Sequence, residues 1–184
     1  MKIKLLLLPV LFVLLSCDDD VKITNQRVFF EVHYSNGAWG YMNHGVLIDS
    51  LGNVNSFNLA AGSGWNYPDS LGNISRVDMN ENLALCDSVV HNISNDSLQY
   101  YVNMIDNAAR GKVSDPAYVM ADAGIKQYFA YVYDLQSGSY KRIVLHQWGD
   151  VMLENNAPAA TVLTEWLANM FKYGKYRYIQ PKDN

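Results

Sequence analysis

The sequence predicts an α+β domain, an antiparallel sheet with helices packed on one face. Three observations predict it. Stretches of period two and of period 3.6 fall in blocks, in the order β-β-β, α-α, β-β, α, without the alternation of βαβ units. Two of the strand blocks are joined by glycine-bearing turns short enough to close hairpins. Apolar residues make up 49% and aromatic residues 12% of 184 residues, which supplies one core for one domain of ordinary size.

Taken in order, residues 1–16 read as a signal peptide. Lys2 and Lys4 precede an apolar run from Leu5 to Leu15 of about 11 residues, shorter than the roughly 20 a membrane-spanning helix needs. Ser16, Cys17 and then Asp18-Asp19-Asp20 follow. Residues 17–26 form an acidic tether, and residues 27–184 a single α+β domain.

Arg27 to Tyr34 alternates, with Val28, Phe30, Val32 and Tyr34 on one face and Phe29, Glu31 and His33 on the other, a strand. Tyr41 to Asp49 is a second strand. Asp49-Ser50-Leu51-Gly52-Asn53 turns the chain into a third, Val54 to Leu59. A looser stretch from Ala60 to Ser75 carries Gly62, Gly64, Trp65 and Pro68. Glu81 to Ile93 is expected to be helical, with Leu83, Cys86, Val90 and Ile93 as its apolar stripe and Asn80 as N-cap. A second helix is expected from Ser97 to Arg110, ended by Gly111. Lys126 to Asp134 and Tyr140 to Gln147 form a hairpin about Gln136-Ser137-Gly138. The last helix runs from Ala157 to Tyr173, capped by Asn155 or Asn156, with Pro158 in its first turn and Gly174 as its stop.

Charge narrows the partners. With Lys2 and Lys4 gone, 12 basic residues face 18 acids, a net charge of about −6. Basic residues concentrate only in the tail from Lys172 to Lys182, so nucleic acid is not an expected partner. If Cys17 is modified, Cys86 has no partner for a disulfide and the fold rests on its core.

Candidate chemistry is sparse. His33 and His44 flank the Ser35–Gly40 turn and could face one another, but three or four ligands make a metal site and no further ligand stands at a recognisable spacing. No metal and no cofactor is expected. Trp39 and Tyr41 on that turn, and Trp65 and Tyr67 in the looser stretch, either pack or present an aromatic recognition surface. Cys86, His146 and Asp150 are the ingredients of a thiol hydrolase, yet Cys86 falls on an apolar helix face instead of at a helix N-terminus. Ala61-Gly62-Ser63-Gly64-Trp65 lacks the spacing of a nucleophile elbow. Asp-Ser-Leu-Gly-Asn occurs twice, at 49–53 and 69–73, and reads as two Asx-type turns.

Leu14-Leu15-Ser16-Cys17 resembles the lipobox of bacterial lipoproteins, which implies lipidation of Cys17 by several acyl chains and membrane anchoring. The three acids after Cys17 resemble the surface-export signal of Bacteroidetes lipoproteins. The segment Gly37-Ala38-Trp39-Gly40-Tyr41, with Gly45 and with Ile48-Asp49 through Gly52-Asn53-Val54, is similar to uncharacterised lipoproteins of that phylum. The resemblance implies lipid anchoring to the outer membrane, on its periplasmic or exposed face. Asp-Ser followed by an apolar residue, at Ser50, Ser70, Ser88 and Ser97, resembles the O-glycosylation acceptor of such proteins, with Ser50, Ser70 and Ser97 the candidates outside the expected first helix. The element order, with Tyr128 to Asp134 and Lys141 to Leu145 as a hairpin and Leu163 to Met170 in the last helix, is similar to emfourin-like inhibitors of thermolysin-type proteases.

The expected function is therefore non-enzymatic: a cell-envelope lipoprotein that binds a protein, peptide or glycan through Trp39, Tyr41, Trp65 and Tyr67. A protease inhibitor protecting the envelope is the alternative, and a cysteine hydrolase a remote one.

Overall fold

The computed structural model describes residues 26–38, 40–174 and 176. The lipobox, Cys17 and Trp39 lie outside the described residues. Among the described residues there are nine strands and four helices: β1 Val28–Asn36, β2 Met42–Asp49, β3 Asn53–Asn58, β4 Asn73–Ser75, α1 Arg76–Ala84, β5 Ser88–Asn92, α2 Asn95–Val102, α3 Ile105–Ala109, β6 Ala117–Tyr118, β7 Ile125–Asp134, β8 Ser139–Gly149, β9 Val151–Glu154 and α4 Pro158–Phe171. The strands form one antiparallel sheet in the order β5-β3-β2-β1-β7-β8-β9-β6, with β4 added beside β8. The fold is α+β, as the blocks of periodicity indicate. Both hairpins form where the turns place them, with Gly52 and Gly138 at φ +80° and +66°.

Helices α2, α3 and α4 pack on one face over Phe30, Val32, Val46, Ile48, Val54, Ala130 and Leu145. The opposite face is also dry. Leu59, Trp65, Ile74 and Met79, from the segment between β3 and β5, cover Val28, Leu47, Phe57, Phe129 and Tyr131. An irregularity between Val28 and Phe30 turns Val28 to this second face, away from Phe30, against simple alternation.

The expected helix from Glu81 to Ile93 does not form. Helix α1 begins earlier, capped by Ser75, whose hydroxyl accepts from the Asp78 N–H, and it ends at Ala84. The chain then extends so that the β-branched Val89 and Val90 lie in β5, paired with β3. The apparent stripe divides between the two cores: Leu83 and Cys86 pack on the second face, Val90 and Ile93 on the first. The helix expected from Ser97 to Arg110 is two short ones, capped by Ser94 and interrupted at Asn103-Met104. In α4 the N-cap is Ala157, and Asn155, two residues before it, accepts the Ala157 N–H on its side-chain oxygen.

Candidate functional site

Strand alternation puts Glu31 and His33 of β1 on the second face, beneath Trp65. Across from His33 on β2 stands Gly45, where a Cβ would lie 2.0 Å from the Val32 carbonyl oxygen and 2.5 Å from the Phe57 ring. The missing side chain lets Phe57 lie against the His33 ring, 5.3 Å between centroids, while Trp65 closes over both at 5.6 and 4.3 Å. Two ionisable groups are thus sealed in an aromatic box, an arrangement tolerated only when they are paired and fully hydrogen-bonded.

They are. Nδ1 of His33 is 2.8 Å from Oε1 of Glu31, and Nε2 is 2.7 Å from Oδ1 of Asn43. The Tyr131 hydroxyl donates to Oε2 of Glu31. Burial and the Glu31 charge raise the Tyr131 phenol well above its ordinary value, so it stays protonated and donates. Nδ2 of Asn43 donates to the hydroxyls of Tyr41 at 3.0 Å and Tyr67 at 3.1 Å. With the amide turned that way, both nitrogens of His33 face oxygen atoms, those of Glu31 and Asn43.

The chain of bonds ends at the surface. Tyr41 is 42% and Tyr67 61% exposed, so two phenol rings present one side to solvent with their hydroxyls fixed on one buried amide, the Tyr67 ring lying 5.9 Å from that of His33. The loop that carries Tyr67 is held independently. Asn66 and Asn82 exchange backbone-to-amide bonds, Asn66 N–H to Asn82 Oδ1 at 2.8 Å and Asn82 Nδ2 to the Asn66 carbonyl at 2.7 Å. Asn66 Nδ2 also donates to Glu81 at 3.0 Å. Burial raises the Tyr67 phenol, against a smaller lowering by the Asn43 hydrogen bond.

No protein-family model, no curated protein and no solved structure matches this chain. Function has to be read from the site.

Of the expected aromatic contacts, Tyr41 and Tyr67 are exposed and adjacent, whereas Trp65 is not a surface residue. Its ring is buried against Phe57 and His33 because the box needs a large apolar lid. Trp39 lies outside the described residues. Sequence reasoning missed Glu31, His33, Asn43 and Tyr131 as a set. The available signal was two ionisable residues alternating with Val and Phe in a strand that is buried on both faces.

The other candidates do not assemble. His33 and His44 point to opposite faces, and His44 stacks on Tyr176 at 4.2 Å and on Phe171 at 6.0 Å. Among the described residues no group of three His, Cys, Asp or Glu could hold a metal ion. Cys86 lies on the second face and His146 on the first, where it pairs with Tyr128 across β7 and β8. Asp150 accepts the Ala123 N–H at 2.7 Å. Burial, reinforced by the Glu31, Asp87 and Asp49 charges, pushes the Cys86 thiol up to about 12, so it is no thiolate at neutral pH. These three residues therefore form no hydrolase set. Gly62 and Gly64 shape an open turn around Ser63. The two Asp-Ser-Leu-Gly-Asn segments adopt the same turn: the Oδ1 atoms of Asp49 and Asp69 accept from the N–H groups two and four residues on. Ser50 and Ser70 are exposed on these turns, Ser88 is exposed in β5, and Ser97 is half-buried in the first turn of α2.

Proposed function

We propose that this chain is a non-enzymatic, lipid-anchored envelope protein that binds a protein, peptide or glycan partner through the Tyr41/Tyr67 pair. The observation that carries this reading is the pair's construction. Aromatic rings presented at a fixed spacing lose little conformational entropy on binding, and phenols offer both an apolar face and a hydrogen-bonding tip. A surface with no role in recognition has no need of a buried charged pair beneath it, since a hydrophobic replacement would hold the fold as well.

Orientation supports the same reading. Tyr41 follows the β1–β2 turn, at the end of the sheet away from Gln26, where the chain from Cys17 enters. With Cys17 in a membrane, the tyrosine pair faces outward.

The test is capture on glycan and peptide arrays, and on a panel of secreted metallo- and cysteine proteases, by the wild-type chain and by Tyr41→Ala/Tyr67→Ala. A ligand class held by the wild type and lost by the double variant supports the reading. A ligand held equally by both, or one lost only when Tyr118 and Trp148 are changed, contradicts it. Stoichiometric inhibition of a protease assigns the inhibitor function instead.

A further inference from the structure

The end of the sheet opposite the tyrosine pair has its own character. Leu51 is 77% and Leu135 67% exposed, each near the tip of a β-hairpin turn. Neither turn needs a leucine. What each turn needs is its aspartate: Asp49 accepts from the N–H groups of Leu51 and Asn53 and from the amides of Asn53 and Asn55, and Asp134 accepts from the N–H groups of Gln136 and Ser137. The two leucines are thus held out on stiff supports, uncovered by any of the described residues.

They flank the point where the chain enters the fold. Val28 pairs with Asp49, and the Ser50 N–H bonds the Arg27 carbonyl at 2.9 Å. On the other side Gln26 is buried beside β7, with Nε2 donating to the Val28 and Tyr131 carbonyls and Oε1 accepting from the Tyr133 N–H. Gln26 therefore clamps the end of the tether between the two hairpins. Two exposed arginines border the same end: Arg27, whose guanidinium donates to Asn80 Oδ1 at 3.3 Å, and Arg76, whose N–H bonds the Gly138 carbonyl and whose guanidinium lies 6.0 Å over the Tyr133 ring.

We infer that this end of the domain docks on a lipid bilayer, Leu51 and Leu135 entering the interface while Arg27 and Arg76 meet headgroup phosphates. The inference rests on the reading of Cys17 as a lipid anchor. Between Cys17 and Gln26 a fully extended chain spans only about 30 Å, so the anchor holds this end near the bilayer. Apolar side chains flanked by cations fit the boundary between acyl chains and headgroups. Asp18 to Asp20 on the tether favour a zwitterionic surface over an anionic one.

The experiment uses the full lipidated chain in phosphatidylethanolamine vesicles with brominated or ordinary acyl chains. Tryptophan is introduced singly as Leu51→Trp, Leu135→Trp or Tyr118→Trp, the last in β6 at the far end, and the parent emission is subtracted. All three sites are exposed, so the fold tolerates the changes. With the protein co-floating on vesicles, tryptophan at 51 and 135 should lose most of its added emission to bromine while that at 118 keeps it. Co-flotation with no more quenching at 51 and 135 than at 118 overturns the docking surface and leaves the anchor standing. Cross-linking between copies through these positions without quenching assigns the face to a second copy and likewise overturns it. Failure to co-float removes the anchor reading itself, and the inference with it.

Discussion

Nδ1 of His33 lies 2.8 Å from Oε1 of Glu31, with both side chains turned to the same buried face of β1. Two residues apart on one strand, they share a face by the period of the pleat. Their remaining hydrogen-bonding positions are filled by Asn43 and Tyr131.

Removing one member leaves the other buried without its partner. Glu31→Leu or His33→Leu should each lower the unfolding free energy by about 3–5 kcal/mol in urea titrations at neutral pH. The double variant should lose less than either single change, because neither group is then buried without the other. Equal or additive losses would mean that the two groups do not act as a pair.

Trp65 and Tyr67 are neighbours in sequence with opposite environments. Trp65→Ala empties the lid over Phe57 and His33 and should cost about 3–5 kcal/mol. Tyr67→Ala removes an exposed ring and one hydrogen bond, a loss of about 1 kcal/mol. Thermal melts of the two variants check the contrast.

Burial, with the positive charges of His33 and Lys126, holds His44 down to about 4 from an ordinary 6.5. Its neutral form is the folded form. The stability it contributes is complete above about 6.5 and is lost as pH falls towards 4, where the unfolded chain takes up a proton that the folded one refuses. The full shift corresponds to about 3 kcal/mol. Since the ring is only half-buried, solvent screening reduces the expected loss to about 1–2 kcal/mol. His44→Phe should flatten the stability profile across this range.

The Cys86 thiol, donating to the Asn82 carbonyl and raised to about 12, should resist alkylation in the folded protein at neutral pH. Iodoacetamide should label it only as the chain unfolds. Rapid labelling under native conditions would show a thiol freer than this.

The fold was legible where periodicity and turn chemistry agree. β1, both glycine-closed hairpins and α4 lie where alternation, Asp–Gly turns and Pro158 put them. It was illegible where one apolar stripe served two cores. Leu83, Cys86, Val90 and Ile93 keep helical spacing, yet the chain changes from helix to strand between Ala84 and Ser88, so the pairs face opposite sides of the sheet. The site was half legible. Tyr41 and Tyr67 stand out by their aromatic character alone. Asn43 and Glu31 do not, because their meaning comes from β1–β2 register and from Tyr131, a hundred residues away from Glu31.

The most direct measurement is ring and hydroxyl NMR of Tyr41 and Tyr67 in the wild type and in Asn43→Leu, with Phe57 and Trp65 signals reporting the fold. Both tyrosines should show dispersed ring shifts and slowly exchanging hydroxyl protons in the wild type. In Asn43→Leu they should move to averaged, solvent-like signals while Phe57 and Trp65 stay put. Tyrosine signals unchanged by the loss of Asn43 would contradict a surface pair held in place by the buried network.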